Sequence, residues 1–266
     1  MLTIAAFILI VTSKVVLGQD DRWADEEEIY QLDMAVKSVD DQYVNCTKEM
    51  ETQVEEEYLK NEIKADKVFG EEWKKGGGEY LEPQENLTRN NLIAIFVYTG
   101  SKVSGLFNVD VLFGKEKYLN DKFTWYSLHF LLTQAIQTLK ITNCTLTYRC
   151  TRDKFDENVL NKEIRFGFFA SSSLVRKAKV FGNVSCFKIN TCYGANLTNY
   201  SQKPHEQEIL IPPYEKFNVT AIKKENWCET VFVLESTGIE SNLTCAKVPK
   251  KERNQYRRQG TGFQLL

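Results

Sequence analysis

The chain has 266 residues, 42% hydrophobic and 26% charged, enough to enclose a core in one large domain or two small ones. Its 34 basic and 36 acidic side chains give a formal charge of −2, without the basic excess that marks nucleic-acid binding. The acidic stretch from Asp20 to Glu28 and the basic one from Lys247 to Arg258 read as solvated ends.

From the N-terminus, Leu2 to Leu17 is an apolar run interrupted by Thr3, Thr12, Ser13 and Lys14. Gly18 then precedes a switch to Gln19-Asp20-Asp21. The run is short for a membrane span and ends on a small residue, so residues 1–18 read as a signal peptide. No Lys or Arg precedes the run, which keeps a signal anchor as the alternative. Export agrees with the Asn-x-Ser/Thr sequons at Asn45, Asn86, Asn143, Asn183, Asn196, Asn199, Asn218 and Asn242. It also agrees with 7 cysteines, all beyond the signal segment, an odd number that leaves at least one thiol free or paired between chains. The absence of a Cys-x-x-Cys pair, with His129 and His205 the sole histidines, argues against a zinc site. The last residues, Gly260 to Leu266, lack the apolar tail of a lipid-anchor signal. The expectation is a soluble secreted protein, with residues 19–266 forming one domain (core about 29–248) and a basic C-terminal tail.

The first half reads as helical. Met50, Val54, Tyr58, Ile63 and Val68 recur at helical spacing from Thr47 to Lys75, and Gly76-Gly77-Gly78 is the expected stop. Leu92 to Tyr98 fits either a buried strand or the start of a helix. Trp125 to Leu139 reads as a helix with Leu128, Leu131, Leu132, Ala135, Ile136 and Leu139 on one face, and its His129 as a packed or capping residue. The second half carries short β-rich runs: Thr145 to Tyr148, Ile164 to Phe169, Phe187 to Thr191, Glu208 to Ile211, Phe217 to Ile222 and Thr230 to Leu234. Helices first and strands later indicate an α+β domain, a helical half packed on a β-rich core of two small sheets. Gly-x-Gly-x-x-Gly and phosphate-loop motifs are absent, so a bound nucleotide would not use those loops.

Three stretches of the β-rich half combine polar groups with strand sequence. Arg149 follows Thr145-Leu146-Thr147-Tyr148, where a surface ion pair is the ordinary reading. Ser171, Ser172 and Ser173 end the strand Arg165-Phe166-Gly167-Phe168-Phe169, where a turn is the ordinary reading. Glu206 and Glu208 open the strand of Ile209-Leu210-Ile211. In extended chain, residues two apart face the same way, so both carboxylates would meet one site. Such a pair suits a cationic ligand or transition state, and a solvent-facing acidic strand edge is its ordinary reading.

In combination, Arg149, Ser171-x-Ser173 and Glu206-x-Glu208 resemble the motif of the arginine-specific mono-ADP-ribosyltransferases, bacterial toxins and vertebrate ecto-enzymes alike. Longer stretches resemble the ecto-enzymes: Ser38-Val39-Asp40-Asp41-Gln42-Tyr43, Leu128-His129-Phe130-Leu131-Leu132-Thr133, Arg165 to Leu174, Thr191-Cys192-Tyr193-Gly194-Ala195 and Glu206 to Glu215. The resemblance implies cleavage of NAD or NADP, taken as substrate, with transfer of ADP-ribose to protein arginines. No permanently bound cofactor and no metal is implied. It makes Arg149 the residue that holds the dinucleotide and Ser171 the one that orients the nicotinamide ribose. It makes Glu208 the carboxylate that stabilises the ribosyl cation, and Glu206 the partner of the incoming guanidinium. Tyr98 and Ser201 fall where members contact NAD, as does Phe168. Phe181 would be an aromatic wall for nicotinamide or a core residue. The resemblance also pairs Cys46 with Cys245 and Cys144 with Cys192, leaving Cys150, Cys186 and Cys228, for which a Cys186–Cys228 bridge is one option.

The chain departs from the family at Cys150, where Gly is common, and a thiol beside Arg149 is expected to have a lowered pKa. Phe168 replaces a polar residue found in some members, and Lys203 stands where an aromatic is common. These changes point to altered affinity or target choice. NAD hydrolysis, with water as acceptor, and NAD binding without turnover are the competing functions. A monomer acting on arginine-bearing proteins, without nucleic acid, completes the expectation.

Overall fold

The computed structural model describes residues 29–79, 87–176 and 178–247. The expected signal peptide, the acidic stretch, the Asn86 sequon and nearly all of the basic tail lie outside the described residues. The helical half and the β-rich half form an α+β fold, as the order of the sequence patterns anticipates.

The segment expected as one helix is divided. α1 (Thr47–Gln53) passes through a π-helical turn (Val54–Tyr58) into α2 (Leu59–Ala65). Asp66 then leaves the helical region, and its carboxylate accepts from the Phe69 amide, so it caps α3 (Lys67–Gly78). The three glycines do not stop α3, which runs through all of them. Gly76 is buried, and a Cβ there would lie 2.9 Å from Phe96 Cδ1, so its smallness lets the next helix approach. That helix, α4 (Arg89–Thr99), settles the Leu92 to Tyr98 ambiguity. A reciprocal capping box between Thr88 and Asn91 starts it, and it is buried on every face from Asn91 to Thr99. α5 (Ser104–Phe113) and α6 (Lys115–Leu119) follow. α7 (Tyr126–Thr138) is the expected helix, but it is buried on every side from Tyr126 to Thr133 and not only on the expected face. Its His129 is fully buried between the Val39 carbonyl (2.8 Å from Nε2) and the Tyr43 hydroxyl (2.7 Å from Nδ1). Burial lowers its pKa to about 4, so it is a neutral packing residue.

The strands build two sheets of unequal size. β1 (Ile29–Tyr30) pairs with β3 (Lys154–Phe155). The large sheet takes β2 (Thr145–Thr151), β4 (Glu163–Arg165), β5 (Ala170–Ser173), β6 (Ser185–Thr191), β7 (Ala195–Asn196), β8 (Glu208–Ile211), β9 (Glu215–Glu225) and β10 (Cys228–Ile239). Its order is β4-β9-β10-β6-β2-β5-β8-β7. The two halves of this sheet meet at a narrow seam, since β2 and β5 pair only at Tyr148 and Ser173.

The run Ile164 to Phe169 is not one strand. β4 ends at Arg165, and Gly167 takes φ +67°, where a Cβ would lie 2.3 Å from that of Ala35. Ser171 to Ser173 are strand residues, which corrects the turn reading. The bend is held by a buried ion pair, Arg165 Nη1 to Asp40 Oδ2 at 2.6 Å. Arg165 also donates to the Met34, Ala35 and Glu240 carbonyls, while Asp40 accepts from the Asn242 and Leu243 amides. Asn242 adds its side-chain amide to Asp40, so that sequon serves the hub directly.

All three disulfides join separate elements: Cys46–Cys245 ties α1 to the end of the described chain, Cys144–Cys192 clamps β2 to β6, and Cys186–Cys228 links β6 to β10. Cys150 is free and buried. Among the described residues, no single helix is long and apolar enough to cross a membrane.

Breaking the buried pair strands a charge. Arg165→Met is expected to destabilise the domain by about 3–5 kcal/mol, measured by urea unfolding, because Asp40 then remains buried without its counter-ion. A loss below about 1 kcal/mol would mean that the pair is not the hub.

Candidate active site

The seam between β2 and β5 collects the residues singled out from the sequence. Arg149 lies on β2, Ser171 on β5 and Glu208 at the first position of β8. Ser173 is opposite Glu208 and Ser171 opposite Leu210, so period two puts Ser171 and Glu208 on one face. Leu210 packs into the helical core cluster, so this is the face turned towards the helices.

Arg149 reaches across the seam, its Nη1 donating to the Ser171 carbonyl at 2.9 Å. Its guanidinium carbon sits 5.5 Å from the centroid of the Phe168 ring, within cation–π range. Burial lowers the Arg149 pKa, yet a guanidinium stays charged, so a partly buried cation is offered at the seam. The Ser171 side chain faces Glu208 from the neighbouring strand. Tyr98, only 3% exposed on α4, donates to the Phe169 carbonyl at 2.6 Å and lies 3.3 Å from Ser171 Oγ. Tyr98 is therefore placed beneath the site, holding Ser171, and not on its surface.

Glu208 is 5% exposed, and its pKa is pushed up to about 7. Burial is the main cause, and the Glu206 charge adds to it. The Ser171 hydroxyl, Lys203 and Arg149 oppose the rise. The two glutamates do not come together by strand alternation, which corrects the sequence argument. Glu206 ends a 3₁₀ turn (Pro204–Glu206), and Gln207 adopts a left-handed backbone with φ 48° before β8 begins. Ser173 Oγ donates to the Glu206 carbonyl at 2.6 Å, and the Leu174 amide to the Gln207 carbonyl at 3.1 Å, fixing this turn. Glu206 is partly open to solvent, with the Lys203 ammonium 4.0 Å from its carboxylate. Lys203 is itself tethered to Ser101 Oγ at 2.5 Å, and its amide donates to Ser201 Oγ at 2.9 Å.

Ser201 thus braces the loop leading to Glu206. Phe181 ends a short helix, α8 (Ala178–Phe181), and is 45% exposed, which removes the core-packing alternative. The thiol of Cys150 does not have a lowered pKa. Burial raises it to about 11, outweighing the pull of Arg149. Cys150 faces Cys186 across β2 and β6, in the apolar cluster of Cys186, Cys228 and Val231. Asn108 of α5 was missed, although it is part of the network: its Nδ2 donates to Tyr98 Oη and to the Phe169 carbonyl, both at 3.1 Å.

A desolvated carboxylate, a partly buried guanidinium and a second, more open carboxylate suit an anionic ligand that becomes cationic at one centre. The family model for NAD:arginine ADP-ribosyltransferases matches residues 32–241, nearly the whole described chain. The chain belongs to this family. It is 30% identical over 227 residues to T-cell ecto-ADP-ribosyltransferase 2 of Mus musculus, covering 81% of this chain and 77% of the relative. It is 35% identical over 234 residues to ecto-ADP-ribosyltransferase 4 of Pan troglodytes, covering 80% and 72%. The fold is similar to a crystal structure of the eukaryotic mono-ADP-ribosyltransferase ART2.2, a variant in complex with NADH, with TM-score 0.67 and 27% identity, covering 81% of this chain and 98% of that one.

The raised pKa of Glu208 has a stability consequence of definite sign. Between its ordinary value of 4.5 and about 7, the folded chain holds a proton that the unfolded chain has lost. Stability therefore falls as pH rises through that window, by on the order of 3 kcal/mol when complete. Glu208→Gln removes this penalty. Its melting temperature is expected to exceed the parent's at pH 8 and to equal it at pH 4. A gain independent of pH would contradict the raised pKa.

Proposed function

We propose that the protein cleaves NAD and transfers ADP-ribose to arginine side chains with release of nicotinamide, Glu208 being the catalytic carboxylate. The observation that carries the proposal is the meeting of Glu208, Ser171 and Arg149 at the seam. NAD is the substrate, and the chemistry needs no further cofactor.

In this reading Arg149 takes the pyrophosphate oxygens, with the Phe168 ring within cation–π range of the guanidinium. Ser171 orients the nicotinamide ribose, Tyr98 supports Ser171, and Phe181 offers an exposed ring beside the nicotinamide. The bond between the ribose anomeric carbon and the nicotinamide nitrogen breaks, and its electron pair leaves with neutral nicotinamide. The ribose becomes oxocarbenium-like. Ionised Glu208 stabilises that charge and holds a ribose hydroxyl. The positively charged nicotinamide end of the dinucleotide favours the ionised carboxylate when it binds, by the Coulomb attraction that lowers a carboxyl pKa. Glu206 receives the guanidinium of the acceptor, and takes the proton released as the new C–N bond forms.

NAD hydrolysis is the second reading, favoured by Lys203. Its ammonium already neighbours Glu206, so an acceptor guanidinium must compete with an internal cation. Three disulfides accord with an extracellular or cell-surface protein, and we propose an exported monomer that acts on arginine-bearing proteins.

Labelled NAD with a small guanidine acceptor tests both readings. Glu208→Ala is expected to lower nicotinamide release by about 10²–10³, the size of loss seen when a group stabilising transition-state charge is removed. Glu206→Gln is expected to keep nicotinamide release while abolishing label on the acceptor. Parent-like release from Glu208→Ala, or no release by the parent, would overturn the proposal.

A further inference from the structure

The C-terminal end of α4 makes contacts that NAD cleavage does not use. Gly100 follows the helix with its backbone in the ordinary helical region, at φ −68°, so the conformation there asks for no glycine. The space around it does. A Cβ at Gly100 would lie 2.5 Å from Gln202 Nε2, so the Gln202 amide stands where a side chain would be. The Phe96 carbonyl can only accept, so the Gln202 group 2.8 Å from it is the NH₂. The Gln202 backbone amide donates to Thr99 Oγ1 at 3.1 Å, and the Thr99 hydroxyl donates onward to the Ile95 carbonyl at 2.9 Å. Backbone and side chain of Gln202 are thus both latched to the last turn of α4.

The latch lies a short way before Glu206, and the chain between them is stiff. Lys203 repeats the attachment, its Nζ donating to Ser101 Oγ at 2.5 Å. Pro204 then opens the 3₁₀ turn, in which the Glu206 amide donates to the Lys203 carbonyl at 2.9 Å. On the other side, Ser173 Oγ grips the Glu206 carbonyl at 2.6 Å. Glu206 is therefore suspended between two anchors, one on α4 and one on β5. The same helix carries Tyr98, which donates to the Phe169 carbonyl and lies against Ser171. One helix end sets the loop of Glu206 in register with the strand of Ser171.

We infer that Gln202 is a positioning residue for acceptor choice: bonded to the Phe96 carbonyl in the space that Gly100 leaves, it holds Glu206 where an acceptor guanidinium meets it. This rests on the reading of Glu206 as the partner of the acceptor. Without the side-chain latch, Glu206 keeps its anchor on β5 and loosens from α4. Arg149, Ser171 and Glu208 lie on strands and stay in place. NAD cleavage then continues, and water takes the ADP-ribose that the guanidinium loses.

The test is the partition of ADP-ribose between a small guanidine acceptor and water, followed with labelled NAD. The proteins compared are the parent, Gln202→Ala, Gly100→Ala and the double variant. Both single substitutions leave the charge unchanged and remove the same hydrogen bond, one by deleting the amide and the other by putting a Cβ in its place. Gly100→Ala suits the helical φ and the helix, so it keeps the test decisive should Gln202→Ala fail to fold. Each single variant is expected to lower the ratio of transfer to hydrolysis about three- to tenfold, the worth of one hydrogen bond. The loss should fall on kcat/KM for the acceptor, with nicotinamide release in its absence unchanged. The double variant should be no worse than Gln202→Ala, because the added Cβ finds no bond left to break. A parent-like ratio in the folded single variants, equal falls in release and transfer, or losses that multiply in the double variant would overturn the inference. A parent that releases nicotinamide without labelling the acceptor, or whose labelling survives Glu206→Gln, would instead overturn the reading of Glu206 on which it rests.

Discussion

The buried pair of Arg165 and Asp40 is the constraint on which the site depends. Two charges without exposure are tolerable because nearly every lone pair and proton is used: Arg165 serves three backbone carbonyls, and Asp40 collects amides of Asn242 and Leu243. The neighbouring Asp41 continues the pattern, accepting from the amides of Tyr43, Cys245 and Ala246. This acidic pair joins the N-terminal segment to the last described residues, and Cys46–Cys245 makes the same junction covalent. Arg165 also closes β4 just before the left-handed Gly167, whose carbonyl accepts from Ser38. The chain then delivers Phe168 under Arg149, the Phe169 carbonyl to Tyr98, and Ser171 to the seam.

The seam sets two demands against each other. Binding an anionic dinucleotide asks for a partly buried cation, which Arg149 supplies. Stabilising a sugar cation asks for a desolvated anion, which Glu208 supplies only at the cost of a raised proton affinity. The opposed charges limit that rise, and the substrate, positive at its nicotinamide end, completes the balance. Glu206 is kept more open, where an acceptor can reach it, and Lys203 occupies its free side. On the proposed assignment, the carboxylate that serves cleavage is thus in a dry place, and the one that meets the acceptor is in a wetter one.

Much of the fold was legible because its elements obey simple periods. The existence of α7, the runs that became β6, β8 and β9, and the order of helices before strands follow from spacing alone. Where a tertiary demand overrode the local signal, the reading failed. Gly76 to Gly78 look like a helix stop, yet α3 runs through them, with Gly76 packed closely on Phe96. Glu206-Gln207-Glu208 looks extended, yet Gln207 turns left-handed, and the carboxylates approach through a turn. Cys150 looks activated by Arg149, yet its apolar burial prevails. Arg149, Ser171 and Glu208 were nameable through family resemblance, because no periodicity distinguishes a catalytic carboxylate from a strand-edge one. Asn108 was invisible, since a polar residue inside an apolar helix carries no sign of what its amide meets.

The central claim is that the seam of Arg149, Ser171 and Glu208 holds NAD with its reacting carbon at Glu208. The crystal structure of Glu208→Gln with NAD tests it most directly, since slowed turnover preserves the substrate. The account predicts the pyrophosphate on Arg149, the nicotinamide ribose against Ser171 with a hydroxyl on the side chain at position 208, and Glu206 facing the open side of the anomeric carbon. A dinucleotide bound with its nicotinamide ribose away from position 208 would contradict it.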